Sequence, residues 1–290
     1  MAGMLSVRAP AKINLTLEVL ARRSDGYHGI RSVMVPLELA DELAIEPSSR
    51  FSFSCDRADL DGEANLAYAA VRALGDLPQV RIELRKRIPV QAGLGGGSSD
   101  AAAVLRAAMA GAFGTVPHHD WLGLARALGS DVPFFLAETA ALVEGTGERI
   151  TPAGAIPQWH ALILKPPVAI STVLAYAQLD SLDRPQRSRR GSVSIAMLEA
   201  LQRDDFEEVQ ALLQNDFHDV LSTQTPEIRG ALSALRAAGA SNTLLAGSGS
   251  CVFTLAPDAR RIAEIDQRLQ LPEQYERFAT RFAATPQWMQ

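Results

Sequence analysis

The spacing of hydrophobic and polar positions predicts a chain of short strands and amphipathic helices. Residues 12–19 alternate between polar and apolar side chains, which is the two-residue period of a strand. Its apolar positions, all predicted to lie on one face, are Ile13, Leu15, Leu17 and Val19. Further strands are predicted at residues 30–39, 41–46, 50–54, 80–88 and 159–165, in a hairpin over 139–151, and on both sides of a small-residue turn within 244–255. Helices are predicted at residues 65–74, 101–110, 120–128, 173–178, 194–202, 205–213, 226–238 and 258–269, and the tail from residue 272 is poorly patterned.

The stretch between the predicted strand 80–88 and the next helix contains too much glycine to fill a core. Residues 93–97 include four glycines, which supply no side chains to bury and cost backbone entropy on folding. Ser98, Ser99 and Asp100 are typical of the cap and first turn of a helix. A glycine loop entering a helix N-terminus leaves backbone N–H groups for an anion, which the helix dipole also favours. We therefore predict a phosphate-binding loop at residues 89–100, with an unliganded turn as the alternative.

This loop differs from the two commonest phosphate motifs. No lysine follows its glycines, as a Walker A sequence would require. Counted from Gly93, the position of the third glycine in a dinucleotide fingerprint is occupied by Ser98. The sequence therefore indicates a third kind of phosphate loop.

Composition narrows the class of protein. The chain has 290 residues, 47% of them hydrophobic, and a mean hydropathy of +0.03, which is typical of a globular protein. A formal net charge of -5 argues against a nucleic-acid partner, which usually meets a basic face. The two cysteines, Cys55 and Cys251, lie far apart in no metal-like spacing, so a disulfide framework is not expected. Residues 1–10 do not look like a signal peptide, and no apolar stretch approaches the length of a membrane span. We expect a cytoplasmic protein without a membrane partner.

Several polar residues stand in unusual places, although each has an ordinary structural explanation. Lys12 lies on the polar side of the first strand, which could simply be its solvated face. His28 follows an Asp-Gly turn and could be a surface histidine. Asp131 lies between a helix stop at Gly129 and a Val-Pro-Phe-Phe run, where an N-cap is the simplest role. The Pro- and Gly-containing stretch 151–158 is the best candidate linker, and it predicts domains at 1–156 and 157–290.

Three blocks taken together resemble the GHMP kinase superfamily. They are Lys12 on the first strand, the P-x-x-A-G-L-G-G-G-S-S loop at 89–99 and the G-S-G turn at 247–249. Four longer blocks, at residues 9–15, 23–28, 129–135 and 247–253, are similar to the branch of this superfamily that acts on 4-diphosphocytidyl-2-C-methyl-D-erythritol. The D-G-Y-H and D-V-P-F-F sequences within these blocks are more specific than the glycine loop.

The resemblance implies an α+β, two-domain GHMP kinase fold. The N-terminal domain would be of the ribosomal protein S5 domain 2 type, the C-terminal domain ferredoxin-like, and the active site would lie in the cleft between them. The implied reaction is ATP-dependent phosphorylation of the 2-hydroxyl of the methylerythritol unit in isoprenoid biosynthesis. Mg²⁺ is expected on the ATP phosphates rather than in a protein cage. The partner is a small molecule, and the chain is expected to be a monomer or weak homodimer.

The resemblance also assigns roles to individual residues. Asp131 would accept the proton of the attacking hydroxyl, and Lys12 would keep Asp131 ionised and stabilise charge on the transferring group. The expected phosphate-binding residues are Pro89, Ala92, Gly93, Leu94, Gly95, Gly96, Gly97, Ser98 and Ser99. Of these, the Ser99 hydroxyl is the candidate for a position near the metal. The expected substrate-binding residues are Asn14, Tyr27, His28, Thr172, Tyr176, Gly247, Ser248 and Gly249, with Tyr27 and His28 at the cytosine.

Three alternatives remain at this point. The first is another GHMP kinase, acting on homoserine, mevalonate or a sugar, against which the D-G-Y-H block argues because those substrates carry no cytosine. The second is a non-catalytic nucleotide-binding relative, which would usually have lost Lys12 or Asp131. The third is a Rossmann oxidoreductase, which the missing third glycine disfavours. The arginine-rich stretch 184–190 is interpreted as a mobile surface loop.

Overall fold

A computed structural model describes residues 4–24, 26–114, 120–181 and 192–283 of the chain. Its strands are β1 (Leu5–Arg22), β2 (His28–Pro47), β3 (Ser52–Cys55), β4 (Val80–Arg85), β5 (Ala141–Gly145), β6 (Arg149–Pro152), β7 (His160–Lys165), β8 (Gln214–Asn215), β9 (Leu244–Leu245), β10 (Val252–Ala256) and β11 (Glu276–Arg281). Its helices are α1 (Leu66–Ala73), α2 (Gly96–Met109), α3 (Trp121–Leu128), α4 (Val132–Leu136), α5 (Thr172–Asp180), α6 (Val193–Gln202), α7 (Phe206–Leu212), α8 (His218–Gln224), α9 (Pro226–Ala237) and α10 (Ala259–Arg268). The arginine-rich stretch lies outside the described residues.

The first sheet is built on the long antiparallel pair of β1 and β2. Its strand order is β3-β4-β2-β1-β8, and β5 and β6 extend from β2. The two strands predicted at 30–39 and 41–46 are one continuous strand, β2. Strand β1 stays paired with β2 on both sides of a register shift between Pro10 and Lys12. The sheet is largely antiparallel, which excludes the Rossmann alternative.

Irregular pairing along β1 changes which way its apolar residues face. Ile13 and Leu15 pack in one hydrophobic cluster, whereas Leu17 and Val19 pack in another. A register shift lies between Asn14 and Thr16, where β1 has one residue more than its partner. Such a bulge interrupts the alternation of faces. The prediction of a single apolar face was therefore wrong, and the side chains of Lys12, Asn14 and Thr16 are buried rather than solvated.

The second sheet is antiparallel, with strand order β11-β7-β10-β9. Strand β11 forms in the tail for which no element was predicted. It is an edge strand paired only with β7, and most of its side chains are exposed, so it carries no strong apolar pattern. The predicted hairpin over 139–151 is present as β5 and β6.

Backbone hydrogen bonds connect the first and second halves of the chain. Strand β8, from the second half of the chain, pairs with β1, and the backbone N–H of Ala283 donates to the carbonyl of Pro36. These contacts bring the turn between β9 and β10 to the loop between β4 and α2. No described helix combines the length and the apolar character needed to cross a bilayer.

Candidate active site

A cavity of about 700 Å³ lies between the two halves of the fold. Its wall includes most of the residues predicted from sequence to bind nucleotide or substrate: Lys12, Asn14, Pro89, Ala92, Gly93, Leu94, Gly95, Gly96, Gly97, Ser98, Asp131, Thr172, Tyr176, Gly247, Ser248 and Gly249. Residues separated by more than 200 positions therefore meet in one cleft.

The glycine loop forms one wall of the cavity. Helix α2 begins at Gly96 and not at the serines, because Gly95 is the N-cap, with a φ of +73°. A Cβ at Gly95 would lie 2.9 Å from the ring of Phe135 and 3.2 Å from Cγ of Lys12, so this position needs glycine for space as well as conformation. The first N–H groups of the helix, at Gly96, Gly97 and Ser98, have no partner within the helix and lie at the cavity. This geometry fits a phosphate group.

The loop packs directly on the turn between β9 and β10. A Cβ on Gly93 would fall 1.9 Å from the carbonyl oxygen of Ala246. The N–H of Cys251 donates to the carbonyl of Ala92 at 3.1 Å, and the N–H of Lys12 donates to the carbonyl of Leu94 at 2.9 Å. The glycine loop, β1 and the G-S-G turn thus hold one another through their backbones.

Lys12 and Asp131 meet at the floor of the cleft. Lys12 Nζ lies 3.5 Å from Asp131 Oδ2 and donates to Asn14 Oδ1 at 2.7 Å. Asp131 occupies the N-cap position of α4, yet its side chain makes no capping hydrogen bond. The simple capping role considered from sequence therefore does not account for its carboxylate, which is 26% exposed and faces the cavity. A proton acceptor with a cation beside it is suited to phosphoryl transfer.

The Asn14 amide is held in one orientation. Ser32 Oγ donates to the carbonyl of Thr16 at 2.5 Å, so the same hydroxyl accepts from Asn14 Nδ2 at 2.8 Å. The Asn14 oxygen is thereby directed to Lys12. Because all of these groups are buried, each depends on its partner for its hydrogen bond.

The predicted substrate residues form the opposite wall only in part. Thr172 Oγ1 and Ser248 Oγ form a hydrogen bond of 2.9 Å, and both residues line the cavity. The His28 ring stacks on Tyr176 with centroids 5.4 Å apart and planes 22° apart. Burial, with the nearby Asp131, raises the pKa of Tyr176 to about 12. His28 lies behind Tyr176 and Tyr27 is 70% exposed, and neither belongs to the cavity wall.

Ser99 is not placed as predicted. Its side chain is fully buried and its Oγ has no hydrogen-bond partner, whereas Ser98 lines the cavity. Both serines lie within α2, where one residue corresponds to about 100° of helix rotation, so their side chains face different ways. Among the described residues no group of three carboxylate, histidine or cysteine side chains forms a cation site. The oxygens of Ser98 and Asp131 beside the phosphate loop fit a cation that is carried mainly by phosphate oxygens and water.

Sequence reasoning missed one end of the cavity and one support of the turn. Between α1 and α2 the cavity is lined by Leu60, Ala64, Asn65, Leu66, Lys86, Ile88 and Asp100. Asn215 Nδ2 donates to the carbonyls of Leu245 and Gly247, both at 2.8 Å. These residues carry no local signal beyond ordinary helix caps and strand ends, since only the packing of α1 against α2 and of β8 against β1 gives them a common site.

Comparisons with known proteins point to one family of enzymes. Residues 65–139 match the GHMP kinases N terminal domain and residues 197–272 match the GHMP kinases C terminal domain. The chain is 40% identical over 259 residues to 4-diphosphocytidyl-2-C-methyl-D-erythritol kinase of Deinococcus radiodurans, covering 87% of this chain and 84% of that one. It is 42% identical over 264 residues to the enzyme of the same name from Thermus thermophilus, covering 88% and 90%.

Solved structures give the same result. A crystal structure of 4-(cytidine 5'-diphospho)-2C-methyl-D-erythritol kinase superposes with a TM-score of 0.76 at 38% identity, covering 96% of this chain and 99% of that one. Homoserine kinase from Cytophaga hutchinsonii, at 18% identity and a TM-score of 0.72, covering 100% and 98%, shares the fold. The expected α+β GHMP kinase fold is therefore confirmed. By sequence and structure, the chain belongs to the 4-diphosphocytidyl-2-C-methyl-D-erythritol kinase family of GHMP kinases.

Proposed function

We propose that this chain transfers the γ-phosphoryl group of ATP to the 2-hydroxyl of 4-diphosphocytidyl-2-C-methyl-D-erythritol, a step of the methylerythritol phosphate route to isoprenoids. The observation that carries the proposal is the Lys12–Asp131 pair, 3.5 Å apart in a cleft whose wall is the glycine loop. The relatives' names supply the substrate, and the cleft supplies groups suited to the chemistry.

In the proposed reaction Asp131 accepts the proton of the 2-hydroxyl as its oxygen attacks phosphorus. Lys12, oriented by Asn14, stabilises negative charge on the transferring group. The N–H groups of Gly96, Gly97 and Ser98 bind the phosphate oxygens. Mg²⁺ bound to the ATP phosphates would neutralise further charge, and its water shell would meet the oxygens of Ser98 and Asp131, which both line the cavity.

The outer end of the cleft is proposed to bind the cytidine. Tyr176 presents a partly buried ring that stacks on His28 and packs edge-on against Phe217. His28 is further held by Asp180. The Tyr27 side chain is exposed when no base is bound. In this proposal Tyr27 contacts the bound base by stacking on it.

The remaining parts of the proposal concern the domain boundary, the cellular location and the oligomeric state. We infer a domain boundary near residues 156–157, a cytoplasmic location, and a monomer or weak homodimer. A net charge of -5 supports the absence of a nucleic-acid partner.

The test is ADP release with Mg-ATP and 4-diphosphocytidyl-methylerythritol, its uridine analogue or homoserine. We expect turnover with the cytidine compound alone. Asp131→Asn should lower kcat by about 10²- to 10⁴-fold, the usual contribution of a positioned base, without loss of thermal stability. Asp258→Ala is the matched control, because Asp258 does cap its helix, at 2.8 Å to the N–H of Arg261. That variant should lose about 1 kcal/mol of stability and keep its activity.

The outcomes separate the alternatives. Turnover of homoserine in place of the cytidine compound would retain the fold and refute the substrate. ATP binding without turnover of any acceptor would indicate a non-catalytic relative. Full activity in Asp131→Asn would refute the role of that carboxylate.

A further inference from the structure

The backbone that leads into the glycine loop leaves its sheet before the loop begins. The ladder between β2 and β4 ends at the pair Glu42 and Arg85. Residues 86–88 then continue without a strand partner in this register. Asp41, the next residue along β2, is fully buried. Its Oδ1 accepts the backbone N–H of Arg87 at 2.5 Å and that of Ile88 at 2.8 Å. One carboxylate oxygen thus takes the place of the missing strand carbonyls.

The other oxygen of Asp41 reaches the far end of the loop through a lysine. Lys86 Nζ donates to Asp41 Oδ2 and to Asp100 Oδ2, both at 2.5 Å. Asp100 is the fifth residue of α2, the helix that leaves the loop. Lys86 also covers the first turn of α2, since a Cβ on Gly96 would lie 3.4 Å from its Nζ. Both ends of the loop are therefore tied to Asp41, one directly and one through Lys86.

The charges of this cluster make Asp41 the stronger anchor. Two buried carboxylates share one ammonium group, and Asp41 receives three donors whereas Asp100 Oδ1 has no partner. Burial, together with repulsion from Asp41, raises the pKa of Asp100 well above its usual value against the opposing effect of Lys86. Removing one member of such a buried cluster leaves the charges of the other members uncompensated. The side chains of the cluster therefore favour a single arrangement.

We propose that Asp41 is a positioning residue for the phosphate-binding loop. Asp41 fixes residues 86–88 and the first turn of α2 at the spacing that ATP requires. Asp41 lies outside the cavity wall and acts through Lys86 and the backbone. The proposal rests on the proposed function in one respect, namely that the loop binds the phosphates of ATP.

The test compares the effect of a substitution on KM for ATP with its effect on KM for the phosphate acceptor. Asp41→Asn keeps an oxygen for the two backbone N–H groups but loses the charge that holds Lys86. We expect KM for ATP to rise about tenfold while KM for the acceptor changes less than twofold. Asp41→Glu, which retains the charge on a longer side chain, should give a smaller rise of about threefold, and it serves as the second variant if Asp41→Asn does not fold.

The matched control is Asn242→Ala. Asn242 also bonds the backbone through its side chain, accepting from the N–H of Leu255 in β10 at 2.9 Å, but it precedes β9 and lies outside the cavity wall. We expect this variant to melt at a lower temperature with KM for ATP unchanged. If Asp41→Asn behaves like Asn242→Ala, Asp41 is only a stabilising residue and the proposal is wrong. An equal rise in both KM values would also overturn it.

Direct calorimetry with a non-hydrolysable ATP analogue distinguishes the two proposals. If the wild type binds the analogue but turns over no acceptor, the proposed function fails, and the ratio of analogue Kd between Asp41→Asn and wild type still tests Asp41. A ratio near ten supports the positioning role, and a ratio below two refutes it.

Discussion

The contact between the glycine loop and the β9–β10 turn gives the sharpest quantitative prediction. Gly93 and Gly154 have nearly the same positive φ, +77° and +78°. A Cβ at Gly154 meets nothing within 4 Å, whereas a Cβ at Gly93 would lie 1.9 Å from the carbonyl oxygen of Ala246. Substituting alanine at either position costs about 1–2 kcal/mol for the left-handed conformation. Only Gly93→Ala adds a steric clash.

The clash sets the size of the expected effect. Real contacts of this kind are essentially never shorter than 3.0 Å, so the loop and the turn must separate by about 1 Å. Because displacement of reacting groups by about 1 Å can cost about 10²-fold in rate, we expect kcat/KM of Gly93→Ala to fall by about that factor. Gly154→Ala should melt a few degrees lower and stay within twofold of wild-type kcat/KM.

Steady-state ADP release and thermal melts of both variants measure these effects. Equal kcat/KM values for the two variants, at whatever level of stability, would show that the loop does not depend on its packing against the turn. The reasoning from the Gly93–Ala246 distance would then be wrong.

Two further predictions concern regions outside the cleft. Trp159→Ala removes a buried ring that packs edge-on against Phe206, with centroids 4.8 Å apart, and beside Phe282 at 6.1 Å. The free energy of unfolding measured in urea should therefore fall by about 3–5 kcal/mol. A loss below about 1 kcal/mol would contradict this packing. Burial raises the pKa of the Cys251 thiol, whereas Cys55 is partly exposed, so a thiol reagent at pH 8 should label Cys55 in the native protein and Cys251 only after denaturation. Labelling of both thiols at one rate would show that Cys251 is accessible.

Local sequence pattern was sufficient for most elements and for the presence of a phosphate loop. Helices α1, α3 and α10 begin one residue after their predicted starts, because Asn65, Asp120 and Asp258 are N-caps whose side chains each accept a backbone N–H of the first turn. The glycine loop stood out because no core can use four glycines in five positions. The family resemblance then suggested which distant residues belong together, and the family and its α+β fold are confirmed. The site roles remain predictions.

The tertiary structure alone decided which way the residues of β1 face, which strand forms the edge of the second sheet, and which distant charged residues meet. The bulge beside Asn14 reverses the facing of β1, and no residue type in the sequence marks it. Strand β11 exists because β7 offers it a partner, although its own side chains are mostly exposed. In sequence Asp41 and Lys86 look like ordinary surface charges and Asp100 like a residue of a first helical turn. Only the approach of β2, the loop and α2 turns them into one buried cluster. Short-range periodicity reports how a segment buries its own side chains, whereas a shared site depends on which segments the fold brings together.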